Sequence, residues 1–263
     1  MSSNPLAIIM ACSNCGADLS IMDTDLKLRC AACGAEFNKG KHIWNFIPAN
    51  IDWSSPMWKT WQQLQENGLA GYRSDPEHNL AIVEREDVRS FATFCRYHGL
   101  VLDVGCGPQP WPAYFVRDRE VVYVGIDPLI DDAPGEYLRI KGLGEFLPFR
   151  PETFDHVLFS TTLDHFVDPV TALRAAARVC KPGGEIDIWL GEKSADAPKP
   201  AESPDWYLRL QKPQHADDLF HVKRLSKAEF VEVIQTAGLK IVQTETHDVD
   251  PYRANHFYRI ATH

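Results

Sequence analysis

The sequence has no apolar stretch long enough to span a lipid bilayer, which takes about 20 consecutive apolar residues. Positive charge is also scarce, because 27 Lys and Arg residues face 36 Asp and Glu residues and the formal net charge is -9. This balance disfavours strong non-specific binding to nucleic acid, which depends on Lys and Arg contacts to phosphate. The first ten residues carry no basic segment of the kind that begins a signal peptide. We therefore expect a cytoplasmic protein without a membrane partner, whose seven cysteines are thiols or metal ligands rather than disulfides.

A third glycine is missing from the most informative turn in the chain. Residues 99–104 form a short apolar run typical of a buried parallel strand, and Gly105 and Gly107 follow it directly. A dinucleotide-binding turn has a further glycine that brings the next helix close to a diphosphate. Here residues 108–112 contain three prolines instead, which leave few backbone N–H groups for phosphate. The pattern disfavours a dinucleotide ligand.

A second apolar run, residues 121–126, ends at Asp127, about 20 residues after the glycine turn. A carboxylate at this spacing accepts hydrogen bonds from both ribose hydroxyls of a nucleoside ligand. The alternative role of Asp127 is that of a helix N-cap before Pro128. The position of Asp127 at the end of a buried strand favours ribose binding.

Four further segments follow in order, at residues 145–149, 154–159, 163–169 and 173–188. Together with the glycine turn they resemble consecutive motifs of the class I S-adenosylmethionine-dependent methyltransferases, in particular the type-11 group, over residues 99–191. The resemblance implies an α/β fold with a Rossmann-like sheet that is mostly parallel and closes with an antiparallel strand. It also implies S-adenosyl-L-methionine as cofactor.

The resemblance places the cofactor's aminocarboxypropyl end near the glycine turn, where Asp103 either shapes the turn or reaches the methionine amino group. One departure concerns adenine, because Leu143 stands where the family usually has an acid that accepts the adenine amino hydrogens. Backbone groups around Gly144, and in part Glu145, are expected to replace that acid. The expected cofactor-binding residues are Asp103, Gly105, Cys106, Gly107, Asp127, Pro128, Gly144, Glu145, Phe146, Ser160 and Tyr72.

Two matched Cys-x-x-Cys-Gly segments near the N-terminus predict a structural zinc site. The expected ligands are Cys12, Cys15, Cys30 and Cys33. Thiolates on two tight turns close a tetrahedron around zinc, and the glycine after each pair suits the left-handed turn that this requires. A redox dithiol or two disulfides are the alternatives, but a redox site needs one such pair beside a βαβ unit rather than two. Four protein ligands leave no open position, so the zinc is expected to be structural.

Methyl transfer needs a nucleophile in line with the methyl group, and an oxygen or nitrogen nucleophile must also lose its proton. His165 follows the fourth predicted strand of the core and is the first candidate base, with Asp164 to orient it; its alternative role is packing or helix capping. His221 is an equal candidate. It lies in a long polar stretch, residues 191–225, which predicts a lid over the acceptor. His215, Asp218 and His221 could bind a second metal, but their irregular spacing disfavours it.

We therefore expect a zinc ribbon at 1–48, an aromatic linker with N-terminal helices at 49–98, and a methyltransferase core at 99–263 with the lid at 191–225. The predicted function is methylation of a small or medium-sized acceptor by in-line transfer. The whole layout is also similar to 23S rRNA guanine-N1 methyltransferases, which makes rRNA an alternative acceptor. That family typically has Cys-x-x-x-His where this chain has Cys30 and Cys33, and the charges of this ribbon nearly cancel. A scaffold that binds cofactor without catalysis is the other alternative.

Overall fold

A computed structural model describes residues 9–22, 26–76, 85–109, 121–194, 196–198 and 202–262. These residues form one sheet of eleven strands in the order β1-β2-β3-β4-β7-β6-β5-β8-β9-β11-β10. The strands are β1 (Leu19–Ile21), β2 (Lys27–Cys30), β3 (Glu36–Lys39), β4 (Trp44–Asn45), β5 (Gly99–Val104), β6 (Val121–Ile126), β7 (Leu138–Lys141), β8 (Phe154–Ser160), β9 (Cys180–Lys193), β10 (Ile241–Asp250) and β11 (Arg253–Ala261).

The sheet is parallel from β7 through β6, β5 and β8 to β9. β11 then pairs antiparallel with both β9 and β10. This confirms the predicted Rossmann-like sheet with a closing antiparallel strand. The chain proceeds from β5 to β6 and β7 on one side and returns to β8 and β9 on the other. In such sheets the ligand crevice lies at the carboxyl ends of the strands where the direction of winding changes, which here is the end of β5.

Five helices are described, and we number them α1 (Pro56–Ser74), α2 (Glu86–Cys95), α3 (Pro169–Val179), α4 (Asp205–Leu208) and α5 (Lys227–Thr236). α5 begins with a capping box, in which Ser226 and Glu229 each accept a backbone N–H from the other. Gly71 lies inside α1 rather than at its end. The helix continues to Ser74, and a Cβ on Gly71 would lie 3.3 Å from the Trp206 ring, so the glycine makes room for a neighbour rather than ending the helix.

The N-terminal strands extend the main sheet. β1 to β4 pair antiparallel in sequence, and β4 then pairs parallel with β7 through Trp44 opposite Ile140. The Asp132 carboxylate accepts the backbone N–H groups of residues 41–43 at 2.7 to 2.9 Å. Trp44 and Phe46 are buried in the same core as Cys12, Cys30 and the residues of the central strands. The segment 9–46 and the larger sheet therefore share one hydrophobic core.

Some of the predictions fall on residues outside the described part of the chain. These include the prolines at 110 and 112 in the segment after the glycine turn. Within the described residues, no helix combines the length and the apolar character needed to cross a bilayer.

Candidate functional site

A cavity of about 510 Å³ opens at the carboxyl ends of β5, β6 and β8. Such a volume lies in the range of small-molecule and cofactor sites. Its floor is the turn after β5, one wall is the loop after β6, and the opposite wall comes from α1 and the segment around Trp206 and Phe220. The cavity thus lies at the change of winding at the end of β5.

The turn after β5 brings its backbone close to the cavity. Gly105 and Gly107 have positive φ values of 83° and 73°, which favour glycine. The Gly105 N–H donates to the Ile126 carbonyl at 2.8 Å, which ties the turn to the end of β6. A Cβ on Gly105 would lie 2.7 Å from the Thr162 side chain, so no other residue fits without displacement.

Asp127 is held in place by the same turn. Its Oδ2 accepts the Gly107 N–H at 2.9 Å and its Oδ1 accepts the Leu129 N–H at 2.7 Å. Each carboxylate oxygen has a further lone pair, so both can also accept a ligand hydroxyl. The side chain is 7% exposed, and burial raises the pKa of Asp127 to about 6. No helix begins at Asp127, so the alternative N-cap role does not apply.

Most of the predicted cofactor residues line this cavity, namely Tyr72, Gly105, Cys106, Asp127, Pro128, Gly144 and Ser160. Four others are not among its lining residues: Asp103, Gly107, Glu145 and Phe146. Asp103 accepts a hydrogen bond from the Tyr123 hydroxyl. The Glu145 carboxylate accepts the N–H groups of Val167 and Asp168 at 2.9 and 3.3 Å, so it is aimed at the start of α3 rather than at a ligand.

Leu143, which replaces the acid expected for adenine, lines the cavity and packs in a cluster with Ile51 and Trp61. This part of the wall is therefore apolar. The sequence pattern did not indicate Trp61 as a lining residue, because its helical spacing on α1 is equally that of a core position.

His165 and His221 lie next to each other, and His165 reaches the cavity. The ring centroids are 4.3 Å apart, and His165 lines the cavity together with Phe220. The Nδ1 of His165 donates to the Phe220 carbonyl at 2.9 Å, and the Nδ1 of His221 lies 2.8 Å from the Asp218 carboxylate. Burial lowers the pKa of His165 below its ordinary value.

Asp164 faces both imidazoles. Its carboxylate lies 3.9 Å from Nε2 of His165 and 3.5 Å from Nε2 of His221. The sequence placed Asp164 beside His165 but could not bring His221 to them, because the contact depends on how the segment 202–225 folds back. His215 is exposed and belongs to none of the candidate metal-ligand groups among the described residues.

Asn67 fixes the segment 202–225 over the cavity. It is buried on α1, and its Nδ2 donates to the carbonyls of Gln211 at 3.0 Å and Leu219 at 2.8 Å. The sequence pattern did not single out Asn67. The available signal was a polar residue three positions after Leu64, on the buried face of an amphipathic helix.

The four predicted zinc ligands lie together. Cys12 and Cys33 have their Sγ atoms 3.6 Å apart, and those of Cys15 and Cys30 are 3.5 Å apart. All four sulfur atoms lie within 4.8 Å of one another. Tetrahedral zinc with Zn–S bonds of about 2.3 Å separates its sulfur ligands by about 3.8 Å, so this donor set fits the ion.

Comparison with known proteins gives three related findings. The sequence profile of a family described as a methyltransferase domain matches residues 77–244. An uncharacterised methyltransferase of Mycobacterium tuberculosis is 32% identical over 105 residues, which cover 35% of this chain and 40% of that protein. A ubiquinone biosynthesis O-methyltransferase of Saccharophagus degradans is 27% identical over 154 residues, or 54% of this chain and 63% of that protein. The match thus spans less than two thirds of either curated relative.

One solved structure resembles nearly the whole chain. It is the 1,6-didemethyltoxoflavin-N1-methyltransferase of Burkholderia thailandensis, bound to 1,6-didemethyltoxoflavin and S-adenosylhomocysteine. The TM-score is 0.55 at 13% identity, covering 93% of this chain and all of that one. At this identity the likeness shows the fold.

Proposed function

Because this chain belongs to the class I S-adenosylmethionine-dependent methyltransferases, we propose that it methylates an oxygen or nitrogen atom of a small-molecule acceptor held in the cavity between α1 and the segment 202–225. The family supplies the cofactor and the reaction type. The size of the acceptor, the methylated atom and the roles of individual residues are the proposal.

In this proposal the cofactor lies across the turn after β5. Asp127 accepts both ribose hydroxyls, while the glycine turn faces the aminocarboxypropyl end. Adenine packs against Leu143 and Trp61 and forms its polar contacts with backbone groups near Gly144, since no acid is available there. The sulfonium methyl then points toward the space beside His165.

The acceptor loses its proton at the cluster of Asp164, His165 and His221. This group offers two imidazoles as bases, and His165 lines the cavity directly. The acceptor atom forms a bond to the methyl carbon as the carbon–sulfur bond breaks, and both electrons of that bond go to sulfur. What the protein contributes is position, exclusion of water and removal of the proton.

The size of the cavity and its cover of aromatic side chains support a small acceptor. Trp206 lies over Gly71, and Phe220 lies beside His165, so the acceptor end is narrow. The proteins named above include an enzyme of ubiquinone biosynthesis and an enzyme of didemethyltoxoflavin methylation, both of which act on small molecules. We propose the four cysteines as a structural zinc site outside this cavity.

The single observation that carries the proposal is the buried Asp127 carboxylate, which lines the cavity beside the glycine turn and is held there by the N–H groups of Gly107 and Leu129. Calorimetry on the purified protein tests it, with S-adenosylhomocysteine and NAD as competing ligands. We expect heat with S-adenosylhomocysteine and none with NAD; the reverse result would reject the proposal. Transfer of a labelled methyl group to phenols and N-heterocycles, with an rRNA transcript as the comparison acceptor, then tests the acceptor class.

A further inference from the structure

The cluster of Asp164, His165 and His221 has an unusual arrangement of hydrogen-bonding groups. The His165 Nδ1 is 2.9 Å from the Phe220 carbonyl, and a carbonyl can only accept, so this nitrogen carries the proton. The His221 Nδ1 is 2.8 and 3.0 Å from the two Asp218 oxygens and donates in the same way. In the neutral imidazoles, both Nε2 atoms then present lone pairs.

Both Nε2 lone pairs face the Asp164 carboxylate, which is also a hydrogen-bond acceptor. The Asp164 carboxylate lies 3.5 Å from one Nε2 and 3.9 Å from the other, which is too far for good hydrogen bonds. Three electron-pair donors thus face one another, and no described residue is recorded as donating a hydrogen bond to the Asp164 carboxylate. Two imidazoles and one carboxylate, each within 4.8 Å of the others, are a ligand set that many divalent transition metals accept.

The outer contacts of the histidines agree with this interpretation. A metal-bound histidine almost always donates its second ring N–H to a carboxylate or a backbone carbonyl, which fixes the ring and raises its basicity. His221 has the carboxylate and His165 has the carbonyl. The Arg224 guanidinium in turn holds Asp218 at 2.7 Å.

A second group of histidine and acid, formed by His156, Glu185 and Asp187, provides the contrast. There the Arg259 guanidinium already lies 2.9 Å from Asp187 and 3.1 Å from Glu185, so the negative charge is compensated. No Lys or Arg of the described residues forms an ion pair with Asp164.

We propose that Asp164, His165 and His221 bind a divalent transition-metal ion that faces the acceptor end of the cavity. This inference rests on the proposed function and states how the cluster removes the acceptor proton. A hydroxylated acceptor coordinates the ion through its oxygen, which makes the O–H more acidic, and the proton leaves to water. The oxygen then attacks the methyl carbon and the thioether departs. The ion is a first-row divalent ion such as Mn²⁺, Fe²⁺, Co²⁺ or Zn²⁺, because two of its protein ligands are imidazoles and the third is a carboxylate.

Binding of Mn²⁺ alone tests the proposal, followed by its electron paramagnetic resonance signal in zinc-replete protein. Mn²⁺ suits nitrogen and oxygen ligands and competes poorly for the four thiolates of the ribbon. We expect one bound Mn²⁺ per chain. His221→Gln and His165→Gln should each abolish this binding or weaken it strongly. Asp218→Asn keeps all three proposed ligands but alters the outer contact of His221, and it should weaken the binding about 10- to 100-fold. His215→Gln, an exposed histidine of the same segment, is the matched control and should bind as the wild type does.

Calorimetry with S-adenosylhomocysteine on every variant separates loss of the ion from loss of the fold. A histidine variant that binds S-adenosylhomocysteine as the wild type does but no longer binds Mn²⁺ supports the site. The proposal is rejected if the wild type binds no Mn²⁺, or if the two glutamine variants bind it as tightly as the His215→Gln control. Wild-type protein that binds S-adenosylhomocysteine without Mn²⁺ would reject only the metal site, whereas failure to bind S-adenosylhomocysteine would reject the proposed function.

Discussion

Replacing Asp127 by Asn tests the placement of the cofactor most directly. The amide has nearly the same shape but only one acceptor oxygen, and in either orientation its NH₂ group faces one of the two backbone N–H groups, those of Gly107 and Leu129. A hydrogen bond to a charged group contributes about 1.5–3 kcal/mol. Losing one ribose contact together with the charge should therefore weaken S-adenosylhomocysteine binding by about 2–3 kcal/mol, or about 30- to 150-fold.

The pH dependence gives an independent check with a defined sign. Burial raises the pKa of Asp127 from 3.8 to about 6 in the free protein. Ribose hydroxyls need the ionised carboxylate, so affinity should fall as the pH drops through about 6 and should be about tenfold lower at pH 5 than at pH 7. Stability of the free protein should change in the opposite direction. The raised pKa means that the folded state binds the proton more tightly than the unfolded state, so this group's penalty of about 3 kcal/mol above pH 6 is relieved on acidification.

Calorimetric titration with S-adenosylhomocysteine between pH 5 and 8 measures the affinity, and thermal unfolding of the free protein over the same pH range measures its stability. Asp127→Asn should remove the part of the pH dependence that this carboxylate causes, so the difference between wild type and variant isolates it from other titrating groups. Asp131→Asn, an exposed neighbour on the same loop, is the control. An affinity that is equal at pH 5 and pH 7, or an Asp127→Asn variant within twofold of wild type, would refute the ribose assignment.

Three further outcomes are expected. Gly105→Ala should abolish cofactor binding, since the new Cβ would lie only 2.7 Å from the Thr162 side chain. Gly183→Ala is the control, because Gly183 has a similar φ of 77° but no atom within 4 Å of a new Cβ, so this variant introduces backbone strain without a collision. Equal calorimetric affinities for the two variants would contradict this expectation. Asn67→Ala should leave two lid carbonyls without their donor and speed proteolytic cleavage within 202–225 several-fold, and an unchanged cleavage rate would argue against the anchoring role. Cys12→Ser should lower the zinc content below one per chain. It should also reduce the melting temperature of the whole protein, because Cys12 is buried in the core that the ribbon shares with the larger sheet. A separate unfolding transition of the ribbon at lower temperature would contradict this shared core.

The central sheet was predictable because its signals are local. Apolar runs at 99–104 and 121–126 end at turn residues, and the position of Asp127 follows from the spacing. The pairing of β4 with β7 was not predictable, because a strand of two residues has no periodicity and its partner is distant in sequence. Glu145 illustrates a different limit: its position in the motif suggested a ligand contact, but the two N–H groups at 167 and 168 compete for the same carboxylate.

The histidine cluster likewise has one part that the local sequence predicted and another part that it did not. The neighbours Asp164 and His165 could be read from one segment, whereas the approach of His221 depends on an irregular loop held by Asn67. Irregular segments have no hydrophobic period, so their path is set by individual contacts that a single sequence does not display. The orientation of each imidazole is likewise decided by a carbonyl and a carboxylate that lie elsewhere in the chain.

The junction between β4 and β7 has a consequence for how the chain is made. Trp44 leaves the ribosome 96 residues before its partner Ile140 (from 44 to 140). During that interval Phe46 can stack on Phe37 of β3, but Trp44 and Phe46 lack the part of the common core that the central strands supply. The N-terminal segment therefore stays incompletely packed until β7, the third parallel strand of the core in chain order, has been made. The supply of metal at that stage should then affect the yield of folded protein. Expression of residues 49–263 alone should leave β7 as an unpaired edge strand that is prone to aggregation.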